Sequence, residues 1–394
     1  MIACYAWSNL QIINITNAAL NLYPDSEADL FVRMGPHVSN NLLSSVEKSG
    51  AFRHVFYLDP LVIDCRLAPM GRIPLLRAFG VKKATQIAYD NLLSHMSGET
   101  AYERVLLPWF FADSIFLLKY WKRFNPKLTI GFVEEGTSSY CYTQKQMCFS
   151  MFNAPSLKAK LKRYAIEGPL TKRLARDVDT LCVYRPEYCR PDITFNKRAL
   201  PIINRETNPV MYQILCGAAS ILPDPHFNRY DKRNFFYFSS YSVGNPAFEE
   251  QCSHFLDTLI DCDSAYNVIC KVHTHATTHA QNFASHVQSQ VFVDREAYIF
   301  EGLFMQLAKP EQKALISCVS TTSINPKFMF GVEPYIILTH RLYNGYRQNP
   351  VERDDWMANS LIDAYEDKSK VMIPNSMREY KAMIKRANYN NFSF

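Results

Sequence analysis

Short apolar runs alternate with longer stretches of helical period from the start of the chain. Residues 2–6, 28–34, 55–58, 105–108 and 128–133 are apolar runs of strand length. Between them, 10–21, 42–49, 75–96 and 110–124 carry the period of amphipathic helices. This alternation predicts a mostly parallel sheet covered on both faces. Near Arg185 the texture changes. Six prolines fall between 185 and 225, which marks an irregular segment over 185–230. The alternation then restarts, with strands expected at 235–238, 267–272, 290–293, 314–319 and 335–338. Helices are expected at 248–259, 298–307, 325–331 and 356–365. The expected organisation is an α/β domain over 1–184, a linker over 185–230 and a second α/β domain over 231–374. A terminal helix within 375–394 would return to the first domain. No internal repeat or low-complexity segment interrupts the pattern.

Composition narrows the class. Of 394 residues, 48% are apolar and 20% charged, the balance of a globular chain rather than a disordered one. Lys and Arg number 43 against 37 Asp and Glu, a formal net charge of +6. So mild an excess suits an anionic small ligand or a membrane surface and is too weak to argue for nucleic acid. No two of the 13 glycines stand two apart, which excludes a G-x-G-x-x-G fingerprint, and no G-x-x-x-x-G-K-[ST] loop occurs. The 11 cysteines form no C-x-x-C pair and fit reduced core residues of a cytosolic protein. The N-terminus lacks the marks of a signal peptide. No apolar run nears the roughly 18–20 residues of a membrane span. The expected location is the cytoplasm, free or against the inner membrane.

Two parallel sheets in tandem place a cleft between the carboxyl ends of their strands, where ligands of open α/β sheets bind. Residues just past the strand ends are therefore the candidates. Glu134, Glu135 and Gly136 follow the 128–133 run at once. Adjacent side chains there point to opposite faces, so at most one carboxylate faces the cleft. The glycine allows a sharp turn. A partly desolvated carboxylate can have its pKa raised toward neutrality and act as a general base. The structural alternative is an acidic helix start capped by Thr or Ser.

The 267–272 run ends in Lys271-Val272-His273-Thr274-His275, with His279 beyond. Lys271 and His273 share one strand face. Together they suit an anion, the imidazole donating to a phosphate oxygen and the lysine adding charge. His273, His275 and His279 also have the spacing of a zinc site, which is a competing reading. Ser320-Thr321-Thr322-Ser323 lead from the 314–319 run into a helix. They are either caps or hydroxyls that join free N–H groups in holding a phosphate. Ser239 and Ser240 end the 235–238 run in a similar way.

Taken in order, these pieces resemble the bacterial sialyltransferases and polysialyltransferases of glycosyltransferase families 52 and 38. Three short motifs match: Glu134-Glu135-Gly136, then His273-Thr274, where those families have proline second, then Ser320-Thr321. The stretch Ala6-Trp7-Ser8-Asn9-Leu10-Gln11 is similar to their turn after the first strand. The resemblance implies an α/β GT-B fold, two Rossmann-like domains facing across a cleft. It places the acceptor on the first domain, where Ser8 and Asn9 lie, and the CMP-sugar on the second. The implied reaction is inverting transfer of sialic acid from CMP-sialic acid to a glycan acceptor of a bacterial surface polysaccharide or lipooligosaccharide. No cofactor and no essential metal are implied. Glu134 would be the general base, with Glu135 as the alternative. His273 would assist departure of the CMP phosphate, which Ser320 and Thr321 would hold. Lys271, Ser239 and Ser240 join the donor side from their own strand ends.

Other readings remain beside this one. A transferase of the same architecture would use CMP-Kdo or a CDP-polyol, and a non-catalytic protein would only bind glycan or nucleotide. The segment 156–176, from Ser156 to Arg176, carries Lys158, Lys160, Lys162, Arg163, Lys172, Arg173 and Arg176 against Glu167 alone. Leu157, Leu161 and Ala165 form an apolar stripe within it. It suggests peripheral contact with an anionic membrane surface, against a solvated face or a basic groove for an anionic acceptor chain.

Overall fold

The computed structural model describes residues 1–35, 38–58, 86–110, 112–149, 171–219, 230–231, 234–239, 246–262, 268–271, 292–294, 299–343 and 351–392. The chain divides into two compact units, Met1–Pro201 and Ile202–Phe394. Each is built on one parallel sheet.

The first sheet contains β1 (Ile2–Ala6), β2 (Ala28–Arg33), β3 (His54–Leu58), β4 (Arg104–Leu107), β5 (Thr129–Val133), β6 (Val178–Val183) and β7 (Asn196–Ala199). Their order is β3-β2-β1-β4-β5-β6-β7, parallel throughout. The helices of this unit include α1 (Asn9–Leu22), α2 (Asn40–Lys48), α3 (Ala112–Trp121), α4 (Ser138–Cys141) and α5 (Gln144–Cys148). The strand β1 is buried along its whole length, as a central parallel strand covered on both faces must be. Its sequence, Ile-Ala-Cys-Tyr-Ala, is accordingly apolar without alternation.

The second sheet contains β8 (Phe235–Phe238), β9 (Val268–Lys271), β10 (Phe292–Asp294), β11 (Ala314–Ser317), β12 (Tyr335–Leu338) and β13 (Val371–Met372), ordered β10-β9-β8-β11-β12-β13. The helices of this unit include α6 (Pro209–Ala219), α7 (Pro246–Cys262), α8 (Phe300–Phe304), α9 (Thr321–Phe330), α10 (Val351–Ala364) and α11 (Met377–Phe392). Counted from its own first strand, this sheet has the same 3-2-1-4-5-6 order as the first six strands of the other. That is the doubly wound Rossmann order, with a switch point between β1 and β4 in one unit and between β8 and β11 in the other.

Strand positions follow the apolar runs closely, and three strands go beyond them. Asp179 and Thr180 interrupt the apolar run of β6, and Asp179 pairs with Arg104 through two bonds of 2.7 Å. The edge strand β7 reads Asn-Lys-Arg-Ala, with no buried residue to mark it. A further edge strand, β13, is only two residues long. Both β7 and α6 lie inside the 185–230 stretch whose prolines suggest irregular chain, and the division between units falls at Pro201.

The terminal helix α11 places Tyr380, Ile384 and Ala387 on one face. That face lies in the second unit's core with Phe255, Leu256 and Leu259 of α7. The Tyr380 hydroxyl donates to the Phe255 carbonyl at 3.3 Å, and Ser376 caps the helix by accepting from the Glu379 N–H at 3.2 Å. Ile384 is fully buried. Ile384→Ala is expected to cost about 2–5 kcal/mol, lost transfer energy plus a cavity. Denaturant unfolding followed by a probe in the second unit measures it.

Candidate active site

The first unit's candidate site starts at the carboxyl end of β5. Gly136 has φ 102°, a left-handed conformation that a side chain would strain, and it turns the chain from the strand into α4. Glu134 and Glu135, just before it, part to opposite surroundings. Glu134 is 2% exposed. Its Oε2 accepts from the Tyr140 hydroxyl and, at 2.9 Å, from the Tyr184 N–H. Glu135 is half-buried. Its Oε2 accepts from Ser138 Oγ at 3.1 Å and its Oε1 from Gln11 Nε2 at 3.4 Å. The Gln11 amide is itself oriented, since its Oε1 accepts the Trp7 N–H at 3.0 Å.

Helix α1 supplies a polar face that the sequence reading did not anticipate. Gln11, Asn14, Asn17 and Asn21 follow one another at helical spacing, and the first three are buried. Asn14 Nδ2 donates to the Glu134 carbonyl at 2.9 Å. Asn14 Oδ1 accepts from the Tyr184 hydroxyl at 3.0 Å, and that hydroxyl accepts from Asn17 Nδ2 at 3.2 Å. Asn17 also donates to the Pro201 carbonyl at 2.9 Å, and Asn21 Nδ2 donates to Asn17 Oδ1 at 2.8 Å. Buried amides survive in a helix of Ile and Ala because each finds such partners. The available signal was the repeated asparagine itself, out of place in an apolar helix.

Burial dominates the acidity of both carboxyls. It pushes Glu134 up to about 7, with the Tyr140 and Tyr184 donors pulling the other way. It pushes Glu135 up to about 8, opposed by Ser138 and Gln11. The acceptor-side candidates lie nearby at the start of α1. Ser8 is the helix N-cap without a side-chain capping bond. Asn9 Oδ1 accepts the N–H of Ser39, the cap of α2, at 2.8 Å.

In the second unit, Lys271, Ser239 and Ser320 come to one edge. Lys271 ends β9, and its carbonyl accepts the Ser239 N–H at 3.0 Å. Ser320 is the N-cap of α9, its hydroxyl accepting from the Thr322 N–H at 3.3 Å. Thr321 stands half-buried in the first turn. Beneath them Ser317 Oγ accepts the Ser320 N–H at 3.2 Å and meets Ser323 Oγ at 2.8 Å. Ser239 and Ser317–Thr321 flank this sheet's switch point. Two residues not anticipated also belong here. Glu301 is buried on α8 and accepts from Asn325 Nδ2 of α9 at 2.8 Å. Burial raises its pKa, while Asn325 and the Lys271 charge act against the rise. His273, Thr274, His275, His279 and Ser240 lie outside the described residues, as does most of the basic segment from Ser156 to Arg176. Among the described residues no three His, Cys, Asp or Glu side chains gather to hold a metal, and no helix is long and apolar enough to cross a membrane.

No protein-family model and no curated relative matches the sequence. Solved structures do. The chain is similar to TcCGT1 in complex with UDP at 13% identity, over 99% of this chain and 92% of that one, with a TM-score of 0.56. It is also similar to an alpha/beta-galactoside alpha-2,3-sialyltransferase from Photobacterium phosphoreum, at 13% identity over 94% of this chain and 98% of that one, TM-score 0.49. A UDP-GlcNAc 2-epimerase from Neisseria meningitidis matches at 10% identity over 99% and 100%, TM-score 0.46. The likeness is one of fold. Two Rossmann-like domains in tandem make this a GT-B chain.

The buried Glu134 carboxyl has a consequence for stability. Unfolded, it ionises near 4.5; folded, near 7. Between those values the unfolded chain releases the proton more readily, so stability falls as pH rises and levels off above about 7. Glu134→Gln removes that dependence. Its stability relative to wild type is expected to improve from pH 4 to pH 8, by at most about 3 kcal/mol. Thermal unfolding across that range tests it.

Proposed function

We propose that the protein is a nucleotide-sugar-dependent glycosyltransferase in which Glu135 takes the proton of the acceptor hydroxyl. The observation that carries this is the Glu135 carboxyl itself. It is half-buried at a strand's carboxyl end and pushed up to about 8. It is also oriented by Ser138 and by a Gln11 amide locked to the Trp7 N–H. A base of this acidity is matched to chemistry near neutral pH. Glu134 fits a different task, since its carboxylate is enclosed and bonded to Tyr140 and Tyr184. It holds the turn that presents its neighbour.

The proposed donor is CMP-sialic acid, supported by the order of the Glu134-Glu135-Gly136, His273-Thr274 and Ser320-Thr321 motifs. In the reaction the acceptor oxygen forms a bond to the anomeric carbon from the face opposite the phosphate. The anomeric carbon–oxygen bond to the phosphate breaks, and CMP leaves with the electron pair. The hydroxyl proton passes to Glu135. On the donor side Lys271, His273, Ser320 and Thr321 would neutralise the departing phosphate.

The deciding assay offers CMP-sialic acid, CMP-Kdo, CDP-polyols and UDP-sugars with a panel of galactosides and sialosides, products being read by mass. Sialylated product is expected from CMP-sialic acid. Product from another donor alone would reassign the donor, and neither product nor donor hydrolysis from any would end the transferase reading.

Glu135→Gln is expected to lower kcat about 10²–10⁴-fold with CMP affinity unchanged. Because the ionised form is the base, kcat/KM should rise with pH through about 8 in wild type. That limb should vanish in the variant. A Glu135→Gln enzyme of near-normal rate would return the role to Glu134. The reading extends to a peripheral membrane contact through residues 156–176. Anionic vesicles should pellet wild type at low salt, and reversing Lys158, Lys160, Lys162 and Arg163 to Glu should abolish it.

A further inference from the structure

The direction of the Glu135 side chain depends on its backbone as well as on the partners of its carboxyl. The Glu134 N–H still bonds to β6, donating to the Cys182 carbonyl at 2.8 Å. The next peptide group, which joins Glu134 to Glu135, is held by side chains instead. Its carbonyl accepts from Asn14 Nδ2 at 2.9 Å, and its N–H donates to Ser139 Oγ at 2.8 Å. Both of these side chains are buried. On its other side Glu135 adjoins Gly136, whose φ of 102° lies in the region that favours glycine. A glycine restricts the rotation of adjoining peptide groups least. Without the two side chains the 134–135 peptide would be free to pivot, and the Glu135 Cβ would turn with it.

The two clamps are themselves held. Asn14 Oδ1 accepts from the Tyr184 hydroxyl at 3.0 Å. That hydroxyl accepts from Asn17 Nδ2 at 3.2 Å, and Asn17 donates to the Pro201 carbonyl at 2.9 Å. A buried amide bonded through both its oxygen and its nitrogen keeps one orientation. Ser139 directly follows Ser138, whose hydroxyl donates to Glu135 Oε2 at 3.1 Å. Adjacent serines of α4 thus hold Glu135 at its N–H and at its carboxyl.

We propose that Asn14 and Ser139 are positioning residues of the base. By clamping the two ends of one peptide group they aim the Glu135 carboxyl. Misplacing a reacting group by about 1 Å costs on the order of 10²-fold in rate. This inference rests on reading Glu135 as the base, and it assigns the residues that hold that base's backbone.

The first readout needs no activity. In the full chain carrying ¹³C at its glutamate carboxyls, the NMR signal lost in Glu135→Gln identifies Glu135. Its titration is then followed through about pH 8. Burial is the main cause of that high value, so a carboxyl released toward water titrates lower. Asn14→Ala and Ser139→Ala should each lower the midpoint by about one unit or more. Each should also lower kcat about 10–100-fold with acceptor KM within about threefold, and the limb of kcat/KM should move with the titration. Ser139→Thr, which keeps the hydroxyl, should restore the midpoint and most of the rate. Leu117→Ala opens a cavity under α3 of the same unit. It should lower the thermal midpoint and leave the Glu135 titration in place, which separates positioning from general loosening. Where Asn14→Ala does not fold, Tyr184→Phe carries the comparison, since it removes only the hydroxyl that orients Asn14. A smaller shift in the same direction is expected from it. A shift in one alanine variant alone confines the role to that residue. An unmoved titration with near-normal kcat in both, or an equal shift in Leu117→Ala, would overturn the proposal. Either result leaves the transferase reading intact so long as sugar is transferred. A titration that moves as expected in a protein that transfers from no donor overturns the transferase reading and leaves the clamp standing.

Discussion

Enclosing the Glu134 carboxyl constrains everything around it. An ionised carboxylate away from water costs several kcal/mol unless strongly paired. Here its donors are a phenol and a backbone N–H. Burial accordingly pushes its pKa up to about 7, toward the neutral form. Satisfying it requires the end of β6, the short helix α4 and the end of β5 to meet at one point, and the Glu134 carbonyl brings in α1 as well. Because neighbouring side chains diverge at a strand end, enclosing Glu134 leaves Glu135 facing the other way. The orientation of the proposed base is thus a by-product of its neighbour's burial.

The two units apply one topology to different chemistry. Each runs its strands in the same doubly wound order and gathers polar groups at the carboxyl ends. The first builds its edge from carboxyls and amides. The second uses a lysine, hydroxyls and a helix start. A proton acceptor suits the first set and a phosphate the second. The Rossmann order itself says nothing of either, so the distinction lies wholly in the residues just past each strand.

Much of this was legible in the amino-acid sequence. Strands with continuous apolar runs, such as β1, β8 and β12, appear where the pattern puts them, because central parallel strands are buried on both faces. Edge strands escape that logic. Nothing in Asn196–Ala199 needs to be apolar, and β13, though both its residues are buried, is too short to show as a run. At the site, the Glu134-Glu135-Gly136 turn and the cap at Ser320 could be located from their place after apolar runs. Which glutamate would be enclosed could not, since that depends on Tyr140 and Tyr184 arriving from other elements.

The strand order also governs how the first domain comes into being. The first strand pairs early with β2, yet its other edge waits for β4, where Ile2 meets Arg104. Until that part of the chain is synthesised, an apolar strand has an open side, the kind of edge that recruits wrong partners. Pairings so distant in sequence are slow to form. The last tie is later still: Asn17 has no acceptor at Pro201 until almost the whole domain has left the ribosome. A nascent chain halted before β6 would lack the Tyr184 and Pro201 partners of Asn14 and Asn17, and would be a natural target for chaperones and proteases.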